Sequence, residues 1–213
     1  MTKTIFTKGD ELQEAMKTTE EKEIYIVLTQ TGTILSRILK ALTNAQYNHS
    51  SISLEDDLST MYSFGRLFPY NPFLGGFVKE STATGTFKRF SETEATVLRV
   101  SVSNQKYEEM QCYLTEMYEN KKQYHYNYSA LFLALFGIVV RKEKAYYCSE
   151  FVRDFLIHFD VVPQEYLPSI VKPIDFFKIS DSEKIYTGKL REYKKPACKA
   201  TLPKFKQKLL FEA

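Results

Sequence analysis

The alternation of apolar and polar positions divides the chain into short elements. "IYIVLTQT" reads as a β-rich strand that closes on polar residues and Gly32. In "ILSRILKALTNA" the apolar residues Ile34, Leu35, Ile38, Leu39 and Leu42 recur at helical spacing, with basic residues between them. "HSSISL" alternates, "EDD" turns and "LSTMYSF" resumes an extended pattern, which predicts a β-hairpin. "GRLFPYNPFLGGFVKE" is rich in Gly and Pro and reads as a loop. "TGTFKRF" and "ATVLRVSVS" read as two more strands. "NQKYEEMQCYLTEMYENKKQ" is a helix, with Tyr107, Met110, Leu114 and Met117 three or four residues apart. "ALFLALFGIVV" reads as a buried helix, "YYCSEFVRDFLIHFDVV" as another, and "EKIYTGKLREY" as a late strand before a Lys-rich tail. A short charged helix is also expected near Asp10. Helix, strand, helix, several antiparallel strands and then helices make an α+β order rather than a doubly wound α/β one.

The periodicity around Cys148 narrows further. Phe151, Val152, Phe155, Leu156 and Phe159 form one apolar helix face, and Cys148 lies on it in the first turn. The N–H groups and positive dipole end of a helix N-terminus stabilise a thiolate and can hold an oxyanion. Buried cysteine is also a common small hydrophobe, so the helix alone fits a core residue and a nucleophile alike. Cys112, within a helix, and Cys198, in the basic tail, have no catalytic context.

A nucleophilic thiol needs a base, and three histidines are available. His158 lies ten residues along the same helix, roughly 15 Å from Cys148 at about 1.5 Å per residue, which is too far. His125, in "QYHYNYS", stays open. His49 opens a strand on which His49, Ser51 and Ser53 face one way and Ile52 and Leu54 the other. A small polar strand face of this kind leaves room for an imidazole beneath a helix end. A solvent-facing strand residue is the alternative.

Composition then sets limits. The 213 residues suffice for a single domain, expected over 1–213, and 44% hydrophobic with 26% charged residues is the balance of a soluble globular protein. A net charge of +3 gives no reason to expect a nucleic-acid partner. The opening residues lack the apolar core of a signal peptide, and "ALFLALFGIVV" is about half the ~20 residues needed to span a bilayer, though it would serve for membrane contact. Three widely spaced cysteines argue against a disulfide framework and for a cytoplasmic setting. No phosphate loop or metal-ligand cluster stands out, so neither cofactor nor metal is expected. The run Lys194–Lys208 reads as a solvated basic face.

"YYCSEFV" on a helix, preceded about a hundred residues earlier by "YNHSSISL" and a hairpin, resembles the circularly permuted branch of the NlpC-type papain-like cysteine peptidases. YiiX-like proteins belong to that branch, and lecithin retinol acyltransferase-like enzymes are its relatives. Histidine precedes cysteine, as in the permuted order. "IYIVLTQT…ILSRILKALTNAQYNHSSISL", "VKPIDFFK" and "IYTGKLREY" extend the likeness to roughly residues 23–193, leaving the tail 194–213 outside it. The resemblance implies a permuted papain-like fold, with Cys148 as nucleophile and His49 as base and then acid. It implies Tyr147 as an aromatic lining the cleft, and Glu150 in a helix-starting or substrate role. The family orients its imidazole by a polar residue on the next strand. "STMYSFGR" offers only Ser63, then Tyr62, with Thr60 or a backbone carbonyl as further choices. The expected activity is an amidase or peptidase reaction on a small peptide, a cell-wall fragment or an amino-acid amide. The alternatives are an acyltransferase or lipid-directed thiol enzyme, for which an exposed "ALFLALFGIVV" would be the docking surface, and a non-catalytic binding protein without a Cys148–His49 contact.

Overall fold

The computed structural model describes residues 21–32, 45–68 and 71–195. The expected helices near Asp10 and over 34–45 fall outside them almost entirely, as does the tail from 196 on, with Cys198. Eight strands form one sheet: β1 Glu21–Gln30, β2 His49–Ser53, β3 Met61–Phe68, β4 Asn71–Glu80, β5 Glu94–Ser103, β6 His125–Tyr126, β7 Ala145–Tyr146 and β8 Ser182–Lys189. Their order across the sheet is β7-β6-β4-β3-β2-β1-β5-β8, antiparallel except between β6 and β7. Among the described residues four α-helices accompany it: α1 Gly85–Arg89, α2 Asn104–Glu119, α3 Tyr128–Ala134 and α4 Cys148–His158. The architecture is therefore α+β, with an open, mostly antiparallel sheet.

Alternation sends the two halves of each strand's side chains to different cores. Ile24, Ile26, Leu28, Ile52, Phe64, Phe77, Leu98 and Val100 pack against Met110, Leu114 and Met117 of α2 and Phe151, Val152, Phe155 and Leu156 of α4. Tyr25, Val27, Met61, Ala95 and Val97 face the other way, onto a smaller core with Leu58, Phe87 and Leu190. Apolar side chains on both faces explain why β1 reads as a nearly continuous apolar run. Among the described residues no helix is long and apolar enough to cross a membrane.

Three expectations need correction. "GRLFPYNPFLGGFVKE" is not a loop; it forms the second half of β3 and all of β4, with Gly65 opposite Gly76 and Arg66 opposite Gly75. Its glycines serve close packing: a Cβ on Gly75 would lie 2.7 Å from Tyr126 Cβ and 2.8 Å from the Tyr128 hydroxyl oxygen. "TGTFKRF" is the short helix α1 rather than a strand, and only Phe87 within it is buried. "ALFLALFGIVV" is not a buried helix either. α3 ends at Ala134, and Phe132, Phe136, Ile138 and Val139 keep 50–67% of their surface exposed.

Candidate active site

α4 begins at Cys148 because Tyr147 is extended, and because the Glu150 carboxylate three residues on accepts the Tyr147 N–H at 3.4 Å. The first turn is also fastened from outside: Ser149 Oγ donates to the Val171 carbonyl at 2.8 Å, and the Tyr147 side chain bonds the Val171 backbone. Deeper in the helix, buried Arg153 reaches the carbonyls of Leu167 and Gln164. Apolar packing and these bonds hold the helix N-terminus against β2 and β3, with Cys148 only 4% exposed.

β2 and β3 open where the helix end arrives. Their register pair is Ile52–Tyr62, and beyond it Ser63 Oγ, fully buried, donates to the Ser50 carbonyl at 2.7 Å. A side-chain hydroxyl thus serves a carbonyl that a neighbouring strand would otherwise serve. The Ser50 N–H is directed to the Cys148 sulfur, which also takes the Ser149 N–H and a hydrogen bond from His49. The thiol therefore sits in a gap of the sheet, at the end of a helix, surrounded by donors.

His49 is held from behind by a residue the sequence did not suggest. Its Nε2 lies 2.9 and 3.1 Å from the two carboxylate oxygens of Glu80, at the end of β4. Ser51 Oγ donates to Glu80 Oε2 at 2.7 Å and lies 3.3 Å from His49 Nε2. With Nε2 taken by Glu80, Nδ1 is the nitrogen left for the thiol. Gly65 makes room for the pair, since a Cβ there would lie 3.3 Å from Glu80 Oε1 and 3.8 Å from His49 Cε1. Both side chains are nearly enclosed, at 14% and 12% exposure.

Electrostatics follow from this arrangement. Burial by itself would push the imidazole's pKa down. The Glu80 charge and the hydrogen bonds to the thiol and to Glu80 overcome it and hold His49 well above its usual range. Burial pushes the Cys148 thiol up, but the His49 hydrogen bond and charge, with the Ser50 and Ser149 N–H groups, bring it below its ordinary value. The two shifts favour a thiolate–imidazolium pair. Beside it lies Tyr126 of β6, hydrogen-bonded to Cys148 through its hydroxyl. Burial and the neighbouring thiol keep this phenol protonated far into the alkaline range, so that it serves as a neutral donor.

The sequence-predicted site residues separate accordingly. Cys148 and His49 meet. Ser63 does not reach the imidazole; it is spent on the Ser50 carbonyl. Tyr62 lies on the opposite side of β3, stacked on Phe77 with ring centroids 6.0 Å apart and covered by Lys79. Thr60 accepts from Ser53 Oγ through its carbonyl. Tyr147, expected in the cleft, is buried at the helix cap, and of the two roles expected for Glu150 the structure shows the helix-starting one. Burial pushes Glu150's pKa up to about 7. His125 is exposed on β6, paired through its backbone with Gly76. His158 is exposed and packs on Tyr113, and Cys112 is exposed.

Glu80 was missed because it ends a Gly- and Pro-rich stretch that reads as loop, where a polar residue carries no facing information. Tyr126 was missed because its strand is two residues long, too short to show an alternation. The available signal was the pair of segments flanking residues 69–70, which, read as extended, would have placed Glu80 at the base of a hairpin beside the histidine strand.

A cleft lined by Arg66, Leu67, Val78, Lys79, Glu80 and residues 84–87 opens onto the Glu80 side of the pair. No group of three or more His, Cys, Asp or Glu residues placed to hold a metal occurs among the described residues. No family model, curated protein or solved structure matches the chain.

Proposed function

We propose that the chain is a cysteine hydrolase of permuted papain-like architecture that cleaves an amide bond of a small peptide or amino-acid amide. The observation that carries this reading is the Cys148–His49 hydrogen bond at a helix N-terminus, with Glu80 on the far nitrogen of the imidazole. A binding protein that merely kept the fold has no need of that contact.

The thiolate of Cys148 attacks the carbonyl carbon, forming a C–S bond and moving the carbonyl π electrons onto oxygen. As the first residue of α4, Cys148 has a backbone N–H without an intrahelical acceptor, and this N–H with the Tyr126 hydroxyl supplies two donors to the oxyanion. His49 gives its proton to the departing nitrogen, the C–N bond breaks and a thioester remains. His49, now neutral, takes a proton from water as the water attacks, and the acid leaves with Cys148 restored as thiolate. Glu80 fixes the ring and stabilises its charged form throughout.

The test is the pH dependence of Cys148 alkylation by iodoacetamide, with and without His49→Ala. A thiol that stays reactive well below pH 8.5 and loses this in the variant supports the reading. A thiol titrating near 8.5 and indifferent to His49 sinks it.

A second reading is favoured by one observation. Phe132, Phe136, Ile138 and Val139 are exposed where a core segment was expected, in and after the helix that follows β6. An acyltransferase or lipid-directed thiol enzyme would use the same Cys148 and His49 and dock through this surface. Turnover of acyl lipids rather than peptides would select it.

A further inference from the structure

We infer that Arg66 forms an anion subsite in the cleft, so that the molecule acted on at Cys148 carries a carboxylate or phosphate close to its scissile bond. This rests on the proposed thiol chemistry and specifies its substrate class. Arg66 follows Gly65, which abuts the His49–Glu80 pair, and it lines the same cleft as Glu80. Its strand partner is Gly75, where the missing side chain lets Tyr126 and Tyr128 close in. Paired residues share a strand face, so Arg66 lies on the face that Tyr126 and Tyr128 approach, and its charge interacts with both.

Two features single it out. Arg66 is partly buried, and among the described residues no carboxylate forms an ion pair with it, whereas Arg99, Arg141, Arg153 and Arg191 each have one. Its charged neighbour is another cation, Arg89 at the end of α1, close enough for the two to repel. A partly desolvated guanidinium with no carboxylate beside it is costly unless an anion reaches it. The planar fork of Arg suits a carboxylate or phosphate in two-point contact. Glu80 lines the same cleft, but it is engaged by His49 and Ser51, which leaves Arg66 to receive an incoming anion.

Cys148 can report the subsite directly. In a Cys112→Ala, Cys198→Ala background, alkylation rates with anionic iodoacetate and neutral iodoacetamide are compared for the parent, Arg66→Gln and Arg66→Lys. Thermal melts confirm that each variant folds. The expected result is an iodoacetate-to-iodoacetamide ratio about tenfold lower in Arg66→Gln, the size of one lost charge-assisted contact, and largely retained in Arg66→Lys. Protection by N-acetylglycine marks the anion as a carboxylate, and protection by inorganic phosphate marks it as a phosphate. An unchanged ratio in Arg66→Gln, or no protection by either anion, overturns the subsite while leaving the fast iodoacetamide reaction standing. A slow reaction of the parent with both reagents overturns the thiol chemistry and the subsite with it.

Discussion

The two faces of the sheet divide the work of the molecule. The face under α2 and α4 is apolar and broad, built on Ile26, Ile52, Phe64, Phe77 and the Phe151–Phe155 ridge, and it sets where α4 can lie. The opposite face has a smaller core around Val27, Met61, Phe87 and Val97, bordered by the polar group His49, Ser51 and Glu80. The thiol arrives from the first face and His49 stands on the second. They meet because β2 and β3 part at Ser50, with Ser63 serving the Ser50 carbonyl. The lesson is that the Cys148–His49 contact depends on an opening in the sheet that the apolar core holds in place.

Substitutions can separate the two faces, and the strongest falls on the apolar one. Phe64 is fully buried and touches the rings of Phe77, Tyr124, Tyr146 and Phe151. Phe64→Ala is expected to cost about 3–5 kcal/mol, read from the denaturation midpoint, with Cys148 reactivity lost through unfolding. Retained stability in this variant would mean that the core does not set the site.

Glu80→Gln acts on the polar face alone. It keeps a hydrogen-bonding side chain but removes the charge that raises His49, so Cys148 titrates higher. Alkylation at pH 6 should fall about tenfold for each unit of that rise, with the melting curve nearly unchanged. Equal rates in the two proteins would show that Glu80 is not the group behind the imidazole.

Ser63→Ala tests the opening between the faces. It strands the Ser50 carbonyl without its donor, at an expected cost of about 1–3 kcal/mol and with some loss of thiol reactivity. A loss of stability with unchanged alkylation would assign Ser63 to folding only.

Glu150 lies at the cap between the two faces, and its effect is a pH slope. Its carboxyl is raised in the folded protein from an ordinary value near 4.5 to about 7, so the folded state holds the proton more tightly than the unfolded chain. Stability from this group is full below pH 4.5 and is lost as pH rises through about 7. Glu150→Gln keeps an acceptor for the Tyr147 N–H and should flatten that decline in chemical denaturation across pH 4.5–8. The smallest effect belongs to Cys112→Ala, on the exposed side of α2, expected within about 0.5 kcal/mol and without influence on the site.

Much of this molecule follows from local pattern. A helical period from Cys148 to Phe159 and a two-residue alternation from His49 to Leu54 are properties of neighbouring residues, so they can be read without a fold. They sufficed to place a cysteine at a helix N-terminus and a histidine on a small polar strand face, and the α+β order followed from the succession of such elements. Three matters were settled only by tertiary structure. Glu80 meets His49 through the register of β3 on β4, a pairing across a Gly- and Pro-rich segment whose glycines allow close packing rather than looping. The residues after α3 are exposed because hydrophobicity measures the tendency to leave water and cannot say whether a partner surface exists. Ser63 binds a carbonyl rather than an imidazole because hydrogen-bond partners are assigned by distance in space, and no periodicity of the chain encodes that distance.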